Sequence, residues 1–163
     1  MIEPPIVQIL PLDHRYREWS KRILEEKWEG PVVVSRGRLH DMTELPGYVA
    51  MYEDEPVGLA TYCLEGEECE LVTLNSLRPK LGIGSALVAA VKEMAIKENC
   101  RRLWLITTND NNSAIRFYQQ RGFRLAALHK DAVEESRRLK PQIPLIGEDG
   151  IPIRDEIELE IVL

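Results

Sequence analysis

Between Tyr48 and His129 the chain changes its mode of construction once, and that change limits the folds open to it. Three strand-like runs come first: Y-V-A-M-Y-E (48–53), P-V-G-L-A-T-Y-C-L (56–64) and E-C-E-L-V-T-L-N-S-L (68–77). Their separators, E-D-E-P and E-G-E-E, read as hairpin turns, which predicts antiparallel neighbours. A helix is then predicted from about Ile83 to Asn99, with Leu87, Val88, Ala90, Val91, Met94 and Ala95 in helical period. The apolar strand core R-L-W-L-I-T-T (102–108), a short helix carrying Tyr118 and a strand near 123–129 follow. A meander joined to a strand–helix–strand crossover predicts an α/β chain with a mixed sheet and helices on its faces.

The flanking segments fit one domain over residues 1–163. I-V-Q-I-L (6–10) reads as a first strand. Asp13 is placed to cap a helix that runs to about Trp28 and is ended by Gly30-Pro31. V-V-V-S (32–35) is a short strand, and S-R-G-R-L-H-D (35–41) a polar loop. After His129 come a short helix, D-A-V-E-E-S-R-R-L-K, and a Pro- and Gly-rich loop from Pro141 to Pro152. R-D-E-I-E-L-E-I-V-L alternates polar and apolar residues, as a half-buried strand does.

Composition removes several functions. A net charge of −6 argues against general nucleic-acid affinity. The basic groups Arg15, Arg17, Lys21 and Arg22, and Arg137, Arg138 and Lys140, read as solvated helix faces. No run reaches the roughly 20 apolar residues of a membrane span, and M-I-E-P-P-I carries no secretory pattern. Cys63, Cys69 and Cys100 form no C-x-x-C pair, and His14, His40 and His129 have no ligand spacing. A reducing cytoplasm and no metal are expected.

L-N-S-L-R-P-K-L-G-I-G-S-A-L-V joins a strand to a helix. Gly82 and Gly84 stand where the helix begins, and a helix N-terminus offers free amides and a partial positive charge to a phosphate. Lys80 adds a cation beside it. The junctions at 77–84 and 108–112 are expected near one edge of the sheet, where α/β proteins bind ligands.

R-P-K-L-G-I-G-S-A-L, followed about 25 residues later by N-D-N-N-S-A-I-R-F-Y-Q-Q-R-G-F, resembles the GNAT superfamily of N-acetyltransferases. The more specific half is N-x-x-A-x-x-x-Y-x-x-x-G-F, met by Asn111, Ala114, Tyr118, Gly122 and Phe123. The resemblance covers roughly residues 45–130 and implies the GNAT-like acyl-CoA N-acyltransferase fold, a mostly antiparallel sheet with one splayed parallel pair. It implies acetyl-CoA as donor. The loop amides from Leu81 through Gly82, Ile83 and Gly84 to Ser85 would hold the pyrophosphate, with Lys80 beside them. Leu74, Asn75 and Ser76 would bond the pantetheine arm through their backbone. Asn109, Asn111, Ala114 and Phe117 would border the arm, and Tyr118 would protonate the departing thiolate. One position departs from the pattern: where the family usually has Gln or Arg, three residues before the first glycine, this chain has Pro79, which lacks a backbone donor.

The chemistry sets further demands. An alkylamine titrates near ~10, so a base or a desolvated site must remove a proton before it attacks. Glu70 is the candidate base, acting through water, against a reading as a solvent-facing residue of the acidic run E-G-E-E-C-E. Glu67 and Glu68 read as turn residues, and Asn75 is a second candidate to polarise a water. For Tyr118 the competing reading is a core aromatic with its hydroxyl at the surface. No Cys–His pair suggests an acyl-enzyme, so transfer is direct.

The acceptor is expected to be the amine of a small molecule or an amino acid, with a protein amine or a non-catalytic acyl-CoA-binding module as alternatives. Asp155, Glu156, Glu158 and Glu160 would favour a cationic amine if they border the cleft; otherwise they are the solvated face of an edge strand. Arg36, Arg38 and His40 would instead attract a carboxylate. The loop 141–152 either covers the site or forms a homodimer contact.

Overall fold

The protein was described from a computed structural model covering residues 6–28 and 32–163. Its strands are β1 (Gln8–Pro11), β2 (Val32–Ser35), β3 (Arg38–Asp41), β4 (Gly47–Tyr52), β5 (Glu55–Glu65), β6 (Glu68–Ser76), β7 (Arg102–Thr108), β8 (Arg124–His129) and β9 (Glu156–Val162). The helices are α1 (Arg17–Trp28), α2 (Ile83–Lys97), α3 (Asn112–Gln120) and α4 (Ala132–Leu139). Asp13 caps the 3-10 turn that leads into α1, its carboxylate accepting from the Arg15 amide. The predicted stop at Gly30-Pro31 lies outside the described residues.

Seven strands form one sheet in the order β1-β4-β5-β6-β7-β9-β8. Among the described residues only β6 and β7 run parallel; the other neighbouring strands of the sheet pair antiparallel. This is the mixed sheet expected from a meander followed by a crossover. Two expectations need correction. β9 is not an edge strand: it is inserted between β7 and β8, with β7 paired from Arg102↔Val162 to Thr108↔Glu156. Segment 35–41 is not a loop: β2 and β3 form a hairpin of their own, turning at Arg36 (φ 50°) and Gly37 (φ 72°). Positive φ at both central residues is the turn geometry that matches strand twist. The sequence signal was obscured because arginine, not asparagine or aspartate, holds the first of those positions.

The sheet buries a different surface on each side. Toward α2 and α3 it presents Cys69, Leu71, Leu103, Leu105 and Leu159, packed with Ile83, Leu87, Val88, Val91 and Phe123. Near β4–β6 the other side packs Val49, Met51, Leu59 and Val72 against Leu24 of α1 and Val33 of the hairpin. Farther along that second side, β6, β7 and β9 place Glu70, Trp104, Glu156, Glu158 and Glu160 under the hairpin and α4. Pro and Gly do not end β6; a bulge reshapes it. Thr61 pairs with Thr73 while Tyr62 pairs with Leu71, leaving Val72 as the extra residue. A bulge bends its strand and breaks pairing. Beyond Glu70↔Trp104, β6 and β7 are no longer paired, and a cleft opens between them.

Candidate active site

The bulge also reverses which face each β6 side chain meets. Glu70 points to the hairpin, where the Ser35 hydroxyl donates to its Oε1 at 2.9 Å. Past Val72, Leu74 and Ser76 turn to the helix side and border a cleft of about 330 Å³ with Gly84, Ala114, Phe117 and Tyr118. A single strand thus carries a carboxylate on one face and an apolar channel lining on the other, with an open seam between them.

At the top of the seam α2 begins at Gly82, in the left-handed region (φ 69°), and no side chain caps it. Its first-turn amides therefore keep their donors for a ligand. A Cβ added at Gly82 would meet nothing within 4 Å, so the ground above the turn is open. Gly84 is there for another reason: its Cβ position lies 3.0 Å from the Phe117 ring, which lets α2 and α3 close together. The adjoining pocket, about 270 Å³, is lined by Lys80, Gly82, Ser85 and Arg121 among others. These features fit a pyrophosphate. Ile83 is 1% exposed, so only its backbone is available there.

Arg121 was missed by sequence reading. Its Nε donates to Ser85 Oγ at 2.7 Å, its guanidinium to the Phe117 carbonyl at 2.8 Å, and it lies 3.5 Å over the Phe117 ring centroid. The only sequence signal was a cation just before the Gly122-Phe123 pair that ends α3. It supplies charge on the side where Pro79 removes a donor.

Not all expected site residues reach the cleft. Asn75 Oδ1 accepts from the Trp28 indole at 2.9 Å, which ties α1 to β6. Asn109 is committed to the chain end: its Nδ2 donates to the Pro152 carbonyl and its Oδ1 accepts from the Arg154 and Asp155 amides. Asn111 caps α3, its Oδ1 accepting from Ala114 N at 3.2 Å. Of the basic group at the end of α4, Arg138 is exposed as expected, but Arg137 and Lys140 are not a solvated face. Arg137 donates to the Pro144 and Ile153 carbonyls, and Lys140 to those of Trp28 and Val32. The loop 141–152 is held against the body by these bonds and by Asp110, which accepts from the Glu148 amide.

Tyr118 is 9% exposed and packs edge-on against Phe117 and Phe123. Burial alone pushes its phenol well above the usual range, so it stays protonated. Glu70 is 5% exposed and not solvent-facing. His40 Nε2 lies 3.2 Å from Glu70 Oε2 but is not aligned to bond it, and neither atom has another partner among the described residues. Burial pushes the Cys69 thiol up to about 12, and raises Cys63 and Cys100 too, so none is a ready nucleophile.

Glu70 and Ser35 border two spaces on the hairpin side. One, of about 150 Å³, lies in the seam with Ile106, Thr108, Asn111 and Glu156. The other, of about 340 Å³, opens outward past Arg36, Arg38, His40, Cys63 and Trp104. An acyl carrier threaded from the helix side would meet an acceptor arriving from the hairpin side. A parallel pair splayed beside an uncapped Gly-rich helix start defines an acyl-CoA-dependent transferase architecture. The chain belongs to the acetyltransferase (GNAT) family, whose model matches residues 12–123. The acetyl donor of that family is acetyl-CoA.

The protein YdhI of Bacillus subtilis (strain 168) is 41% identical over 150 residues, 91% of this chain and 94% of that protein. Among solved structures, a B. subtilis acetyltransferase in complex with CoA has a TM-score of 0.69 at 24% identity, covering 97% of this chain and 99% of that one. A GNAT family acetyltransferase from Elizabethkingia anophelis with acetyl-CoA bound also has a TM-score of 0.69, at 22% identity over 96% and 98%. Both have the same fold.

Proposed function

We propose that the chain transfers an acetyl group from acetyl-CoA directly to the primary amine of a small molecule or amino acid. The observation that carries this reading is the seam between β6 and β7, with Glu70 on its hairpin side and Tyr118 on its helix side. The pyrophosphate sits on the α2 amides, beside Lys80 and Arg121. The pantetheine arm lies along the free edge of β6 past Leu74. The acceptor arrives as an ammonium ion and gives one proton to Glu70, through water. Its nitrogen then attacks the thioester carbon. An amide on the unpaired edge of β6 stabilises the oxyanion.

Collapse of the tetrahedral adduct breaks the C–S bond. A phenol held as high as Tyr118 does not give its proton to a thiolate outright. It passes one instead: its O–H goes to sulfur as it takes a proton from the adduct's nitrogen. The sum is an N-acetylamine, CoA thiol and one proton released from Glu70 to solvent. The raised thiols favour this direct route over an acyl-enzyme.

The test is melting with acetyl-CoA, CoA, ATP or buffer, because a ligand selective for the native state raises stability. Acetyl-CoA and CoA are expected to raise the melting temperature and ATP is not. No shift at millimolar acetyl-CoA would sink the reading. With binding in hand, thiol release with amines follows. Tyr118→Phe is expected to lower kcat about 100-fold with cofactor affinity kept, and Glu70→Gln to do likewise.

A further inference from the structure

Glu70 is buried, yet the reaction proposed above requires it to lose a proton to solvent in every cycle. Its surroundings offer a way out. Glu70 borders both the space in the seam and the larger pocket that opens outward, whereas His40 borders the outward pocket and not the seam. The carboxylate therefore stands between the seam and the imidazole, and the imidazole between the carboxylate and the opening.

The hairpin puts His40 there. β2 and β3 pair Val33 with His40 and Ser35 with Arg38. Cross-strand partners and alternate residues share a face, so Val33, Ser35 and His40 turn the same way, and all three are buried. Ser35 donates to Glu70 Oε1. His40 Nε2 lies 3.2 Å from Glu70 Oε2, and neither atom has a hydrogen-bond partner among the described residues. A buried ring nitrogen without a partner costs free energy, so packing alone is a poor reason for a histidine here. With Glu70 ionised and the imidazole proton on Nδ1, both facing atoms are acceptors and nothing joins them. One added proton joins them, after a small turn of the ring of the kind that catalytic contacts make when substrate binds.

The other ionisable groups on the outward pocket are engaged. Arg38 pairs with Glu65 and Arg102 with Glu68, while Arg36 lies 3.5 Å from Glu158. Cys63, opposite Glu70 on β5, has its thiol raised by burial and stays protonated. On the seam side, Glu156 accepts from the Ser136 hydroxyl and the Arg36 amide.

We infer that His40 is a positioning residue that clears Glu70 between turnovers, accepting on Nε2 the proton that Glu70 has taken and returning one to solvent in the outward pocket. The inference rests on the acetyl transfer proposed above, with Glu70 as base, and adds a residue to it. The step moves a proton and no electrons. The carboxyl O–H breaks as an N–H forms on Nε2, and an N–H of the imidazolium breaks as water takes its proton. Imidazole suits this task because it gains and loses a proton near neutral pH.

Thiol release from acetyl-CoA is followed with the fastest acceptor among n-hexylamine, benzylamine and L-lysine. His40→Gln keeps a polar side chain but no basic nitrogen. It is expected to lower kcat about tenfold or more, with KM and the melting shift for acetyl-CoA unchanged. Free imidazole is small enough for the outward pocket of about 340 Å³ and is expected to restore the His40→Gln rate as its concentration rises. The wild type should not respond to it. Ser35→Ala removes the carboxylate's other bond but no proton acceptor, so any rate it loses should not return with imidazole. An unchanged kcat in His40→Gln overturns the inference, and a loss that imidazole fails to repair overturns it too, by assigning His40 to packing. NMR titration decides the matter even if His40→Gln does not fold. One of the three histidine signals is expected to titrate differently in Glu70→Gln than in wild type, and three unaltered titrations overturn the inference. A wild type that binds acetyl-CoA but releases thiol with no panel member overturns the amine-transfer reading and the inference together, as does a Glu70→Gln as fast as wild type. An undiminished His40→Gln overturns the inference alone.

Discussion

At the scale of single residues, the cofactor side depends on Arg121 more than its sequence context suggests. Its guanidinium joins Ser85 at the start of α2 to the end of α3, so it sets both charge and distance at the proposed pyrophosphate pocket. Arg121→Ala is expected to raise KM for acetyl-CoA about tenfold, since a hydrogen bond to a charged group is worth roughly 1.5–3 kcal/mol, with kcat little changed. Titration of the acetyl-CoA melting shift measures it, and an unaltered shift would remove Arg121 from the cofactor's contacts. Residue-level legibility was uneven for a physical reason. Glycines announce backbone geometry locally, so Gly82 could be placed at the start of α2 from sequence. The partner of a long side chain is set by tertiary packing. Hence the side chains of Asn109 and Asn75, which fasten chain segments together, could not be assigned those partners from sequence, and Arg121 was not read at all.

At the scale of elements, the segment 141–152 is a strapped loop rather than a free flap. Asp110 holds its far end through the Glu148 amide and is itself met by the Thr108 hydroxyl at 2.5 Å. Arg137 holds the near end. Asp110→Ala should leave the sheet intact but free the loop. Limited trypsin and glutamyl-endopeptidase digestion is expected to gain early cuts at Glu148 or Arg154, with the melting temperature lowered by only a few degrees; an unchanged cleavage pattern would show that other bonds suffice. The strands around this loop were readable because their period is local. Two element-level features were not. The Val72 bulge leaves no mark in an apolar run, and the hairpin at 32–41 hides behind a polar run in which Ser35 and His40 turn to the buried Glu70 rather than to water. Both lie at the site, where local sequence preference gives way to function.

At the scale of the whole molecule, stability is tied to pH through the charged side of the sheet. Burial works to raise the Glu158 carboxyl, but bonds from Arg102 and His129 outweigh it, and the net shift is downward. A carboxylate lowered on folding adds stability above its unfolded titration range. That stability is lost as pH falls through the folded range. Glu158→Gln should therefore lower stability by about 2–3 kcal/mol at pH 7, leaving part of Arg102 uncompensated, and the gap to wild type should narrow on acidification below about pH 4. Chemical denaturation at several pH values reads this; a gap independent of pH would assign the loss to packing. The global topology was partly legible: meander plus crossover gave the mixed sheet, and the two motifs gave the family. The place of β9 was not legible, because alternation tells a strand which face to bury but not between which neighbours to lie.

That placement has a consequence for how the protein comes into being. Among the described residues, β8 pairs with nothing but β9, and β7 gains its second partner only from β9. Synthesis is vectorial, so a nascent chain through residue 155 holds a sheet whose last third has a gap where residues 156–162 belong. Glu156, one wall of the seam, is the first residue of the missing piece. The gap is a vacancy that another chain's strand can fill. Crowded translation should therefore favour intermolecular strand exchange at this one position over any other in the fold.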